Sequence, residues 1–157
     1  MSTSDIQKVQ QAQLHSTLWD MANNLRGSME AYEFKSYILG LIFYRYLSEK
    51  VEKNAHLLLK EDNISFEDFY ADNDEDVRND FSSDIVESLG YFIAPQYLFS
   101  HFTKVLKETN SFDIEELDKA ISAISESSLG TQSQHDFEGL FDDMDLKSTN
   151  FPFHNYN

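Results

Sequence analysis

Cysteine is absent from the 157 residues, so disulfides, thiolate metal sites and cysteine nucleophiles are excluded, and with them a secreted disulfide scaffold. Only 2 Pro and 5 Gly occur, too few to punctuate an all-β domain with a turn every ~8–12 residues. The glycines, at 27, 40, 90, 130 and 139, never form a Gly-x-Gly pair, and no serine stands in Gly-x-Ser-x-Gly. Neither a nucleotide-cradling loop nor a nucleophile elbow can be read from that spacing. No stretch approaches ~18 apolar residues, and the opening run Met1 to Ser16 is polar, without a basic lead or an apolar core. The expectation is a cytoplasmic chain that does not enter a membrane.

Basic residues are also scarce, with 12 Lys and Arg against 28 Asp and Glu, for a net charge of −16. The imbalance is uneven. Residues 1–60 hold seven basic and six acidic side chains, whereas residues 61–157 hold five and twenty-two, a local charge of −17. Because DNA affinity rests on neutralising phosphates with Lys and Arg, the second part should be repelled by a duplex and only the first could face one.

Against these absences stands ample apolar material. Hydrophobic residues make up 41% and aromatics 14%, the latter as 13 Phe, 8 Tyr and 1 Trp. A chain of this length buries roughly 70% of the surface it exposes when unfolded, which is enough for one core. Leu, Glu, Lys, Ala and Gln are plentiful, and the reading is a mainly α, compact, bundle-like domain.

The apolar period locates the helices. Leu14, Leu18, Met21, Ala22 and Leu25 recur at helical spacing before Gly27, predicting a first helix over about 5–26. From Glu30 to Lys60 no proline intervenes, and Tyr37 to Tyr44 is apolar nearly all round, which predicts a central helix buried on several sides. Gly40 within it costs about 1 kcal/mol relative to Ala and marks a close approach by another helix. A short helix over 64–70 follows, then a weak one carrying Val77, Phe81, Ile85 and Leu89. Tyr91 to Ala94 reads as a short strand or extended connector, with Pro95 as the first residue of a helix holding Leu98, Phe99, Phe102, Val105 and Leu106. Asp113 and Glu116 have capping-box spacing ahead of Leu117, Ala120, Ile121 and Ile124, and Gly130 is the expected stop. Ser133 and Asp136 open a last turn with Phe137, Leu140 and Phe141, and the tail from Lys147 has no period.

Constellations that could carry chemistry fail on inspection. Asp72, Asp74 and Asp76 have the alternate-carboxylate spacing of a calcium loop, but Val77 stands where the turn needs Gly and Ser83 where a bidentate Glu belongs. Asp142, Asp143 and Asp145 suggest a magnesium cluster, yet no phosphate-binding Gly loop accompanies them, so a solvated acidic run is the preferred reading. His15, His56, His101, His135 and His154 are scattered singly, which leaves no zinc pair on one helical face. Trp19 reads as core. Arg26 stands open between capping a helix end and contacting phosphate. Lys35, Arg45, Lys50 and Lys53 run along the central helix, in the one patch where basic residues outnumber acidic ones.

Three blocks taken together say more: Leu18-Trp19-Asp20-Met21-Ala22 through Leu25-Arg26-Gly27-Ser28-Met29; Glu33 through Tyr37-Ile38-Leu39-Gly40 to Ser48; and Phe112-Asp113 through Asp136-Phe137-Glu138-Gly139-Leu140-Phe141 to Ser148. In order and spacing, with Leu98-Phe99-Ser100 between them, they resemble the N-terminal helical domain of the modification (M) subunit of type I restriction-modification systems. The resemblance implies a helical domain over 1–148 and an irregular tail over 149–157. It further implies a parent that methylates the N6 amino group of adenine with S-adenosylmethionine, working with a second M subunit, a specificity (S) subunit that reads DNA and a restriction (R) subunit. In such proteins a following Rossmann-like domain holds the cofactor and the flipped adenine, through a Gly-bearing motif and an Asn-Pro-Pro-aromatic motif. With Pro only at 95 and 152, this chain has no such run, and no catalytic or cofactor-binding residue is assigned to it.

Where the family continues past Asp145-Leu146-x-Ser148 into a linker, this chain turns to Thr149-Asn150-Phe151-Pro152-Phe153, which suggests a truncated or frame-shifted gene or a clipped chain. The expected role is assembly and clamping around DNA, with Arg26, Lys35, Arg45 and Lys50 as the residues facing DNA or a partner. The alternative is an acidic interaction module or DNA mimic, motivated by the −17 beyond residue 60.

Overall fold

The computed structural model describes residues 31–110 and 114–138. Among them the chain is mainly α, with no strand. Helix α1 spans Ala31–Leu59 and is followed by α2, Phe66–Asp72, and α3, Glu75–Leu89. A 3-10 turn over Pro95–Tyr97 leads into α4, Phe99–Thr109, and then α5, Ile114–Ser127. A last helical turn covers 134–138. The predicted helix over 5–26 with Trp19 and Arg26, the Asp113 cap, the carboxylates at 142, 143 and 145 and the tail from 149 lie outside the described residues.

Helix α1 is the spine of two apolar clusters. Its Leu41, Tyr44, Leu47 and Val51 bury against Tyr91, Ile93 and the α4 residues Phe99, Phe102 and Leu106, with Leu117, Ile121 and Ile124 of α5 completing the cluster. One turn further on, Ala55 and Leu59 meet Phe81 and Ile85 of α3. Phe66 at the start of α2 packs against both clusters and joins them. Each Leu, Ile or Phe so buried contributes roughly 1.5–3 kcal/mol, so one face of α1 accounts for much of the hydrophobic stabilisation.

The junctions follow from their capping residues. The Ser65 hydroxyl accepts the Asp68 N–H at 3.0 Å and starts α2. The Asp74 carboxylate accepts the Val77 N–H at 3.1 Å and starts α3, with Glu75 and Asp76 favourably placed in its first turn. The alternate carboxylates at 72, 74 and 76 thus belong to a helix–helix junction. At its other end α3 stops at Gly90, whose φ of +87° is left-handed and whose N–H donates to the Val86 carbonyl at 2.7 Å. Gly130 likewise has a positive φ, of +80°, beyond the end of α5.

Two sequence expectations need correction. Pro95 opens the 3-10 turn and not α4, whose first residue is Phe99, because Leu98 is held extended and the chain must turn once before the helix can start. The central helix is also buried along one side and not on several: Leu41 and Tyr44 are fully enclosed, but Leu39 and Ile42 are 56% and 46% exposed. Residues two positions apart on a helix point to different sides, so apolar character alone did not reveal which side the neighbours cover. Segment 91–94 is irregular and forms no strand, and Gly40 is buried.

Candidate functional site

Three α1 side chains spaced four apart, Tyr44, Ser48 and Glu52, all reach the start of α4. The Tyr44 hydroxyl donates to the Tyr97 carbonyl, the Ser48 hydroxyl accepts the Phe99 N–H at 3.0 Å, and the Ser100 hydroxyl donates to the Glu52 carboxylate. Leu98, the N-cap residue of α4, offers no side-chain acceptor, so α1 supplies the cap from outside. The Tyr91 hydroxyl donates to the Leu47 carbonyl at 2.8 Å and fixes the connector to the same helix. Burial raises the phenols of Tyr44 and Tyr91 well above their ordinary range, so both remain neutral donors at physiological pH.

Beside this seam runs an open groove of about 660 Å³ between α1, the start of α2 and α4. Glu49, Glu52, Lys53 and His56 line one wall, and Ser100, His101 and Lys104 the other. Partial burial raises the Glu52 carboxyl, Ser100 offsets this by hydrogen bonding, and the Glu49 charge adds to the rise. The Ser100–Glu52 contact joins α4 to α1. Among the described residues no group of three or more His, Asp or Glu is placed to hold a metal.

The outer side of α1 has a different character. Residues 35, 39, 42, 46, 50, 53 and 57 fall within about 80° of arc, and their side chains, Lys35, Leu39, Ile42, Tyr46, Lys50, Lys53 and Leu57, are all exposed. The Lys50 ammonium lies over the Tyr46 ring, 5.2 Å from its centroid. None of the three lysines enters an ion pair among the described residues. Of the basic residues singled out from the sequence, Lys35, Lys50 and Lys53 therefore share this stripe, Lys53 at the edge that borders the groove. Arg45 does not: it sits about 100° round the helix, its side chain is 14% exposed, and its Nε donates to Glu49 at 3.0 Å. Arg26 lies outside the described residues. Sequence reasoning missed Leu39, Ile42 and Tyr46, although their spacing with Lys35, Lys50 and Lys53 carried the signal.

The cofactor that the resemblance implies for the parent, S-adenosylmethionine, is held by a glycine-bearing loop. Such a cofactor needs glycine where backbone must approach it, but the position a Cβ would take at Gly90 is already met by Ser133 Oγ at 2.5 Å, and Gly90 is spent on capping α3. Gly130 is left-handed and open on a turn between helical segments, with no second glycine beside it. No helix among the described residues is long and apolar enough to cross a membrane.

Among the described residues, a helical spine with an exposed mixed face defines a helical module. Comparison with known proteins names the module. The chain belongs to the family of HsdM N-terminal domains, which matches residues 14–153. It is 32% identical over 133 residues to the type I restriction enzyme MpnII methylase subunit of Mycoplasma pneumoniae, covering 82% of this chain and 24% of that protein. The crystal structure of the type I restriction-modification system methyltransferase subunit from Streptococcus thermophilus superposes with a TM-score of 0.62 at 30% identity, covering 87% of this chain and 29% of that one. The chain thus spans about a quarter of the length of the relatives it matches.

Proposed function

We propose that this chain acts as the assembly and DNA-clamping domain of a type I methylase, and that the adenine-N6 chemistry resides in a catalytic part that it does not contain. The S-adenosylmethionine and the extruded adenine would be held by that part. The specificity subunit, a second M subunit and the R subunit would be the partners, and DNA would be reached through the complex. The observation that carries this reading is the family match over 14–153, combined with the exposed mixed face of α1. The charge distribution supports it, because the −17 beyond residue 60 keeps that part away from phosphates.

The test is reconstitution. The catalytic part of the methylase and its specificity subunit are expressed with and without this chain. Native mass measurement, duplex binding and methyl transfer to adenine are then followed. Assembly and DNA retention should require the chain, while S-adenosylmethionine binding should not. Methyl transfer by the chain alone would overturn the proposal, as would tight, strongly salt-sensitive duplex binding by the chain alone.

A further inference from the structure

The exposed stripe of α1 has a run of apolar residues, Leu39, Ile42 and Tyr46, with Lys35 before it and Lys50 and Lys53 after it, and a further exposed Leu57 one turn beyond Lys53. Half-exposed aliphatic side chains scattered singly are ordinary, but three in register on one helical face are a candidate contact surface. The two α1 carboxylates described nearby are otherwise engaged, Glu49 with Arg45 and Glu52 with Ser100. None of the three lysines is held in an ion pair among the described residues, so the stripe carries positive charge on a chain that is strongly acidic elsewhere.

From this pattern we infer that the outer face of α1 docks an amphipathic helix of a partner protein, one whose apolar stripe is flanked by Asp and Glu. The inference rests on the reading that the chain works within an assembly and specifies the kind of surface it meets there. The apolar run supplies burial, and the flanking lysines fix register and exclude basic partners. A duplex is a poorer occupant, because Leu39 and Ile42 have no phosphate to meet and interfaces with DNA are strongly polar and basic. A second copy of the same stripe is poorer too. Pairing two copies antiparallel sets Lys35 against Lys53, and pairing them parallel sets every lysine against itself, so the face is not self-complementary.

The test uses the 157-residue chain and synthetic helical peptides of about 21 residues, long enough to follow the stripe. One peptide has a Leu stripe flanked by Glu; its comparator has Lys at the same flanks. Methyl resonances of Leu39 and Ile42 report where binding occurs. The Glu-flanked peptide should shift both, and the Lys-flanked one should leave both in place. The double variant Lys50→Glu with Lys53→Glu should weaken the acidic peptide by about tenfold or more, as should Ile42→Ser with Tyr46→Ser. Circular dichroism should be unchanged in each, since all four side chains face solvent. Equal shifts from both peptides, no shift from either, unaltered binding by the variants, or displacement of the peptide by duplex DNA would each overturn the inference. Any of these with assembly intact in the reconstitution would sink the docking face and leave the clamping role standing.

Discussion

The buried hydroxyl of Ser48 accepts the backbone N–H of Phe99 at 3.0 Å, so the first amide of α4 is capped by a side chain 51 residues earlier on α1. An N-cap side chain normally accepts an N–H two or three residues further on, but here the N-cap is Leu98, which has no acceptor, and Ser48 takes the first amide from outside the helix. The bond therefore couples the start of one helix to the position of another.

Replacing Ser48 by Ala leaves the Phe99 amide buried and unpaired. The expected cost is about 1–3 kcal/mol, read as a fall in the denaturant midpoint at unchanged slope. Ser82→Ala, whose hydroxyl makes an exposed contact with the Asn79 carbonyl, should change the midpoint little by comparison. Equal effects of the two substitutions would contradict the capping role.

Tyr44 separates ring packing from hydrogen bonding. Its ring meets Phe99 and Phe102 edge-on at centroid distances of 5.9 and 6.2 Å. Tyr44→Phe keeps those contacts and removes the donor to the Tyr97 carbonyl, for an expected loss of about 1 kcal/mol. Tyr44→Ala also empties the centre of the larger cluster and should cost about 3–5 kcal/mol, in line with aromatic truncations in cores. Thermal unfolding of both variants checks the ratio.

At Gly90, Ala would be strained for two reasons. Left-handed backbone costs a non-glycine residue about 1–2 kcal/mol, and the new methyl would meet Ser133 Oγ at 2.5 Å. Gly90→Ala should therefore lower the unfolding midpoint. Adding Ser133→Ala should recover the steric part and leave the backbone part, so the double variant is expected to be more stable than the single one. A double variant no better than Gly90→Ala would show that Ser133 moves aside freely.

Glu52 should make stability depend on pH in a sense opposite to most carboxylates. Burial holds its folded pKa above the unfolded value, so the folded chain binds this proton more tightly than the unfolded one. Its contribution is greatest below the ordinary Glu range and is lost as pH rises through the window between the unfolded and the raised folded value. Glu52→Gln keeps an acceptor for Ser100 and abolishes the charge. It should raise the melting temperature at about pH 7 and change it little at about pH 4, where the carboxyl is already protonated. A destabilised variant at pH 7 would show that the charge is needed.

Much of the helical layout was legible from local chemistry. The proline-free stretch from Glu30 to Lys60 marked α1, and the spacing of Phe81 and Ile85 marked the buried face of α3. The resemblance carried by Tyr37 to Ser48 and by Asp136 to Phe137 pointed to the family that the comparison with known proteins then matched. The external cap was not legible, because Ser48 and Glu52 sit among apolar residues at ordinary helical spacing, and nothing local states that another helix begins beside them. Arg45 was equally opaque: in sequence it groups with Lys35 and Lys50, whereas its side chain turns to Glu49 on another flank.

By itself, the sequence determined which of the described segments are helical and placed stops such as Gly90, since propensity and caps act over a few residues. It also determined that no thiol, glycine-rich cradle or Asn-Pro-Pro run is available, because such chemistry depends on residue types being present at all. Only the tertiary structure decided which side of α1 is buried and which remains open at Leu39, Ile42 and Tyr46. Burial is a property of the elements that come to lie against a helix, here α3, α4 and α5, and their arrangement is set by packing between residues tens of positions apart.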